Sequence, residues 1–126
     1  MIHLYFGDGK GKTTAAMGLA LRTAGRGGGV VAAQFLKGAD SGERAALARL
    51  PGVTLLEAPE RVKFTFQMTP AEREAEAGRS LALLEEAARL ARSPDCRLLV
   101  LDEALDAVNA GLLPLAAVLR CLDALS

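Results

Sequence analysis

Residues 7–14, Gly-Asp-Gly-Lys-Gly-Lys-Thr-Thr, constrain this chain more than any other stretch. An apolar run, Met1 to Phe6, precedes them and reads as a buried strand. Thr13 to Ala24, rich in Ala and Leu and closed by Gly25, reads as a helix. A strand that feeds a glycine-rich turn into a helix is the arrangement of a phosphate-binding loop. Its glycines let the backbone wrap with several N–H groups turned inward, and the helix N-terminus adds partial positive charge. Lys12 supplies a mobile ammonium, and Thr13 a hydroxyl of the kind that joins a Mg²⁺ shell. Gly7, Asp8, Gly9, Lys10, Gly11, Lys12, Thr13 and Thr14 are therefore the candidate phosphate-binding residues. The generic spacing puts four residues between the first glycine and Gly-Lys; here Phe6 occupies that glycine position and the loop is one residue short. Lys10 either adds charge to the cradle or keeps the turn soluble. The competing reading, a solvated turn that happens to carry lysines, leaves the flanking strand and helix without a purpose.

The rest of the chain alternates strand and helix signals. Val30 to Leu36 and Val53 to Leu56 are short apolar runs, and between them Ser41 to Leu50 contains a short helix, stopped by Pro51-Gly52. Thr69-Pro70-Ala71-Glu72 is a capping box with proline at the first helical position. Ala77, Leu81, Leu84, Ala88 and Ala91 follow it as one apolar stripe, and Ser93-Pro94 ends the run. Arg97 to Leu101 is a further strand, and Pro114 to Leu125 a last amphipathic helix. Alternation without hairpin signals predicts an α/β domain with a parallel sheet, and 126 residues are about one domain.

Fifteen basic and fifteen acidic residues cancel, although residues 1–40 hold five Lys/Arg against two acids. The balance gives no overall drive toward nucleic acid or anionic lipid, and the absence of Trp argues against a stacking platform for single strands. No apolar stretch approaches membrane-spanning length, and the N-terminus lacks the pattern of a signal peptide, so a cytoplasmic location is expected. Cys96 and Cys121 lack zinc spacing and read as small buried thiols; His3, inside the first apolar run, reads as structural.

The second chemical element is Leu98-Leu99-Val100-Leu101-Asp102-Glu103. An apolar strand ending in two acids places carboxylates at the C-terminal edge of the sheet, where ligands bind in open α/β folds and where Asp or Glu can hold Mg²⁺. Alone it is weak, since strands often end in acids. With the phosphate loop it defines a nucleotide-binding protein, without saying which reaction.

The segments GDGKGKTTAAMGLALRTAG, VVAAQFLKG, SGER, FTF and LDEALDAVNAGLLPL, in that order, resemble the ATP:corrinoid adenosyltransferases, and the likeness runs from about Ile2 to the end of the chain. The one-residue-short loop is characteristic of that family. The resemblance implies a P-loop, RecA-like sheet with helices on both faces, ATP and a corrinoid as substrates, and Mg²⁺. The 5′-deoxyadenosyl group of ATP passes to Co(I), triphosphate leaves, and ATP lies in the loop the opposite way round from most P-loop enzymes. It also implies that the loop residues line the triphosphate, with Lys12 stabilising the leaving group and Thr13, Asp102 and Glu103 near the metal. Bulky aromatics, commonly Phe-Thr-Trp in the family, remove the lower axial ligand of cobalt; Phe64 and Phe66 stand in that segment here, Phe66 replacing the Trp. Without the resemblance, two core phenylalanines on a short strand is the simpler account of them.

The family continues beyond the helix at 114–125 with further strands, one of them between the loop strand and the strand ending in Asp-Glu, and a tail that helps form the corrin site. These are not within the 126 residues, so a single, C-terminally incomplete domain over 1–126 is expected. A reductase that supplies electrons and a homodimer are the partners the resemblance implies. The alternatives are a non-catalytic ATP- or corrinoid-binding relative and a RecA-like or kinase-like phosphotransferase, against which the short loop speaks.

Overall fold

The computed structural model describes residues 11–36, 42–58 and 65–125. The expected first strand and residues Gly7, Asp8, Gly9, Lys10 and Phe64, along with His3, lie outside them. The elements are α1 (Lys12–Gly25), β1 (Gly29–Gln34), α2 (Gly42–Leu47), β2 (Val53–Leu55), a 3₁₀ turn at Thr65–Gln67, α3 (Pro70–Ala91), β3 (Cys96–Asp102), α4 (Ala104–Asn109) and α5 (Leu115–Leu125). The described strands form one parallel sheet in the order β2-β1-β3. Val30 pairs with both Val53 and Leu98, and Gln34 with Asp102, so β1 and β3 end level with each other.

Strand alternation divides the core cleanly. Val31, Ala33 and Phe35 face α3, α4 and α5, meeting Leu83, Leu84, Ala87, Ala107, Val118 and Cys121. Val30, Ala32 and Val100 face the opposite way, onto Met17 and Ala20 of α1 and Leu47 of α2. A parallel sheet needs helices on both faces because its crossovers put them there, and the central strand is accordingly apolar at nearly every position. This is the α/β architecture expected from the alternation of elements.

Local chemistry explains the boundaries. Thr69 accepts from the Glu72 N–H at 3.1 Å while the Glu72 carboxylate accepts from the Thr69 N–H at 3.0 Å, so the capping box is formed in full. α2, Gly42–Leu47, is the short helix expected within Ser41 to Leu50. Residues 48–50 tighten into a turn ahead of Pro51, and Gly52 takes φ 81°. The buried face of α3 is Ser80, Leu83, Leu84 and Ala87, rotated from the expected stripe, whose members Ala77, Leu81, Ala88 and Ala91 lie half-buried beside it. Ser80 is fully buried with no hydrogen-bond partner for its hydroxyl among the described residues. α4 has no counterpart in the sequence reading. It is six residues long, begins one residue after β3, and buries Ala104 and Ala107. Cys96 and Cys121 are both free; Cys121 is buried, and burial raises its thiol pKa above the usual value against a smaller opposing effect of Arg92.

Two glycines give opposite predictions for the same substitution. At Gly29, where β1 starts against the turn before β3, a Cβ would stand 2.6 Å from the Asp95 carbonyl oxygen. Gly29→Ala must displace backbone and should cost about 1–3 kcal/mol. Gly18, inside α1, faces open space, and Gly18→Ala should stabilise by about 0.5–1 kcal/mol through helix propensity and unfolded-state entropy. Thermal unfolding of both variants checks this: the midpoint falls for the first and rises for the second.

Candidate functional site

Three strands running the same way bring their C-terminal ends to one edge, and the start of α1 reaches that edge as well. Gly11 is the N-cap of α1 with φ 99°, a conformation glycine adopts without penalty. The first turn of the helix carries no acid and no side-chain cap bond. Its leading N–H groups and partial positive charge are therefore suited to an anion. Lys12 is the first helical residue and is half-buried, Thr13 follows it, and Thr14 is exposed.

Thr13 and Asp102, 89 residues apart in the chain, meet at this edge. The Thr13 hydroxyl lies 3.1 Å from Oδ1 and 3.0 Å from Oδ2 of Asp102, so it donates to the carboxylate as a whole. This joins the end of the loop to the end of β3, the juxtaposition that the two sequence motifs predict. Asp102 is buried, 7% exposed. Its second donor is the Gln34 side-chain amide, Nε2 to Oδ2 at 3.1 Å, from the last residue of β1. Gln34 in turn accepts from Arg44 of α2 at 2.8 Å, and Arg44 also donates to the Leu56 carbonyl just past β2, at 2.7 Å. Gln34 and Arg44 are themselves buried, at 1% and 7% exposed. The last residues of β1 and β3, the helix α2 and the chain just past β2 thus join in one buried polar network that reaches the start of α1.

Glu103 does not continue the strand. Its φ of 61° turns the chain into α4, of which it is the N-cap, one residue after Asp102 ends β3. Leu36, just past the end of β1, also has a positive φ, 59°. Positive φ on non-glycine residues is uncommon and gathers at functional edges. Phe66 sits in the 3₁₀ turn and is 83% exposed. The core alternative, two phenylalanines on a short strand, therefore does not describe it.

The donor set suits a magnesium ion bound together with a triphosphate. Mg²⁺ takes one or two protein oxygens and completes its shell with water and phosphate. With the Thr13 proton directed at Asp102, the hydroxyl lone pairs are turned away from the carboxylate, as a ligand oxygen requires. Among the described residues no three His, Cys, Asp or Glu side chains gather as a metal site, which excludes only an all-protein cage there.

The sequence motifs identified the loop, Asp102 and Glu103, but gave no role to Gln34 or Arg44. Both lie in segments that carry the family resemblance, QFLKG and SGER. The available signal was a lone amide at the end of an apolar strand and a lone arginine in a short helix.

The fold defines an α/β protein of P-loop-like architecture, a parallel sheet with helices on both faces. The family described as ATP:corrinoid adenosyltransferase BtuR/CobO/CobP matches residues 1–126, and the chain belongs to that family. It is 36% identical over 130 residues to the corrinoid adenosyltransferase CobA of Salmonella typhimurium strain LT2, covering 98% of this chain and 61% of that protein. A corrinoid adenosyltransferase of Pseudomonas aeruginosa is 35% identical, covering 96% and 59%, and one of Escherichia coli K12 is 33% identical, covering 98% and 61%. The chain spans about three-fifths of the length of these relatives.

Proposed function

We propose that this chain binds MgATP at the Lys12–Thr13–Asp102 edge and serves a corrinoid adenosyltransferase, transferring the 5′-deoxyadenosyl group of ATP to Co(I). The observation that carries the reading is the contact of Thr13 with Asp102, which joins the loop to the sheet edge in a chain of this family. In the reaction, the Co(I) electron pair forms a bond to C5′ of the ribose while the C5′–O bond breaks, and its electrons leave with triphosphate. The nucleophile belongs to the corrinoid, so the protein's task is to hold and neutralise the leaving group. Lys12 and the first N–H groups of α1 do this directly, extended by the backbone of residues 7–10. Thr13 and Asp102 would hold the Mg²⁺ that accompanies the nucleotide, with Glu103 adjacent; the ion supplies further neutralisation of the triphosphate. Phe64 and Phe66 take the corrin side, displacing the lower cobalt ligand so that Co(II) is more easily reduced. A reductase, a homodimeric state and a cytoplasmic location belong to the same proposal. No described helix is long and apolar enough to cross a membrane.

One assay tests it. ATP, Mg²⁺ and chemically reduced cobalamin should yield triphosphate and a light-sensitive adenosylated corrinoid. Release of ADP or phosphate would instead assign a phosphotransferase, and tight ATP binding without turnover a non-catalytic relative. The aromatic role has its own check. Because Phe66 is 83% exposed, Phe66→Ala should change stability by no more than about 0.5 kcal/mol. ATP affinity should also hold, while the electron-resonance signature of four-coordinate Co(II) in the ATP complex falls. An unaltered spectrum would remove Phe66 from the corrin site.

A further inference from the structure

The buried amide of Gln34 has two chemically different ends, and the structure fixes which faces which. Arg44 has only donors, so its contact at 2.8 Å holds the Gln34 oxygen on its side. The other end, necessarily NH₂, then donates to Asp102 at 3.1 Å. The second donor of Arg44 to the Leu56 carbonyl, 2.7 Å, ties the guanidinium to the chain leaving β2 and limits its rotation. Hydrogen-bond donation therefore runs one way, from Arg44 through Gln34 to Asp102. The amide orients the carboxylate and carries no charge of its own. The Thr13 hydroxyl donates to both oxygens of the same carboxylate.

We propose that Gln34 and Arg44 are positioning residues for the nucleotide-bound divalent cation. They hold Asp102 against Thr13 with its negative charge directed at the metal of a nucleoside triphosphate. The inference rests on the MgATP reading above and adds two residues to it that touch neither nucleotide nor metal.

The test is titration of the full chain with ATP, once with Mg²⁺ and once with a chelator, alongside thermal unfolding. In the parent, Mg²⁺ should raise ATP affinity by about tenfold or more, the scale of a contact to a charged group. Gln34→Met keeps the volume and loses both ends of the amide; Arg44→Met releases the amide to rotate. In each, the Mg²⁺ gain should fall below about threefold while chelated ATP binds as in the parent. Arg44→Lys keeps a donor for the Gln34 oxygen and should retain the gain. Where a methionine variant does not fold, Gln34→Asn, one methylene too short to bridge the two partners, replaces it with the same expectation. A parent-sized Mg²⁺ gain in the Gln34 variant, or equal behaviour of the Arg44 lysine and methionine variants, would overturn the positioning role. A parent that binds ATP with no Mg²⁺ gain overturns it too, while a parent that binds no ATP overturns the nucleotide reading beneath it.

Discussion

Lys12→Ala should remove ATP binding, and with it any adenosyl transfer, while leaving the fold in place. Lys12 is the first residue of α1 and half-buried, at the point where the helix N-terminus meets the loop. An ammonium there contacts phosphate oxygens through charge-assisted hydrogen bonds, each worth about 1.5–3 kcal/mol. A triphosphate offers several such oxygens, so loss of the side chain should weaken binding by about a hundredfold or more, at about 1.4 kcal/mol per tenfold. Alanine is as good a helix former as lysine, so α1 should persist. The site's remaining anion-binding capacity, the N–H groups of the first turn, cannot compensate, since helix dipoles contribute only about 0.3–1 kcal/mol at exposed ends. Calorimetric titration with MgATP beside a melting curve separates the two effects. A variant that melts like the parent and binds MgATP equally well would dispose of the phosphate-loop assignment.

What the sequence makes legible follows from the range of the interactions concerned. The Thr69–Glu72 box is local, closing over three residues, and it forms as the motif predicts. The phosphate-loop helix and the strand ending at Asp102 are also local patterns, and each appears within a residue or two of its expected bounds. α4 was not legible, because its start depends on the positive φ of Glu103 and it is too short to show a period. The buried face of α3 was misplaced for a different reason. Ser80, a polar residue, is fully buried, and a hydrophobic stripe drawn from the sequence passes over it. The Arg44–Gln34–Asp102 network spans separations of 10 and 68 residues. Only the order β2-β1-β3, which lays the ends of β1 and β3 side by side, brings those residues together. A sequence pattern can say that a strand ends in an acid; the neighbour that orients the acid is a property of sheet order.

That neighbourhood sets the second large effect, at Asp102 itself. Asp102 accepts from Thr13 through both oxygens and from Gln34 through Oδ2, in a site only 7% exposed. Asp102→Asn keeps the shape but replaces one acceptor with an NH₂ group. Turned with its oxygen at the Oδ2 position, the new amide still accepts from both Thr13 and Gln34, and its NH₂ meets the Thr13 hydroxyl, whose lone pairs can accept. The change from charged to neutral hydrogen bonds should cost about 1 kcal/mol. Asp102→Ala removes every acceptor and should cost more, since the Thr13 hydroxyl and the Gln34 amide are each left without this partner at about 1–3 kcal/mol apiece. Binding should respond with two opposite signs. Asparagine at this position no longer repels a bare triphosphate, so chelated ATP should bind at least as tightly as to the parent, since like charges at short range disfavour each other. It also offers the metal a neutral and weaker ligand, so the Mg²⁺ gain should disappear. Denaturant unfolding gives the stability change, and paired titrations with Mg²⁺ or chelator give the crossing. A uniform loss of both ATP forms would mean that Asp102 only supports the fold of the edge. An unchanged Mg²⁺ gain in the asparagine variant would place the metal elsewhere. The crossing itself, tighter for bare ATP and weaker for MgATP, requires a carboxylate that faces both the phosphates and their metal.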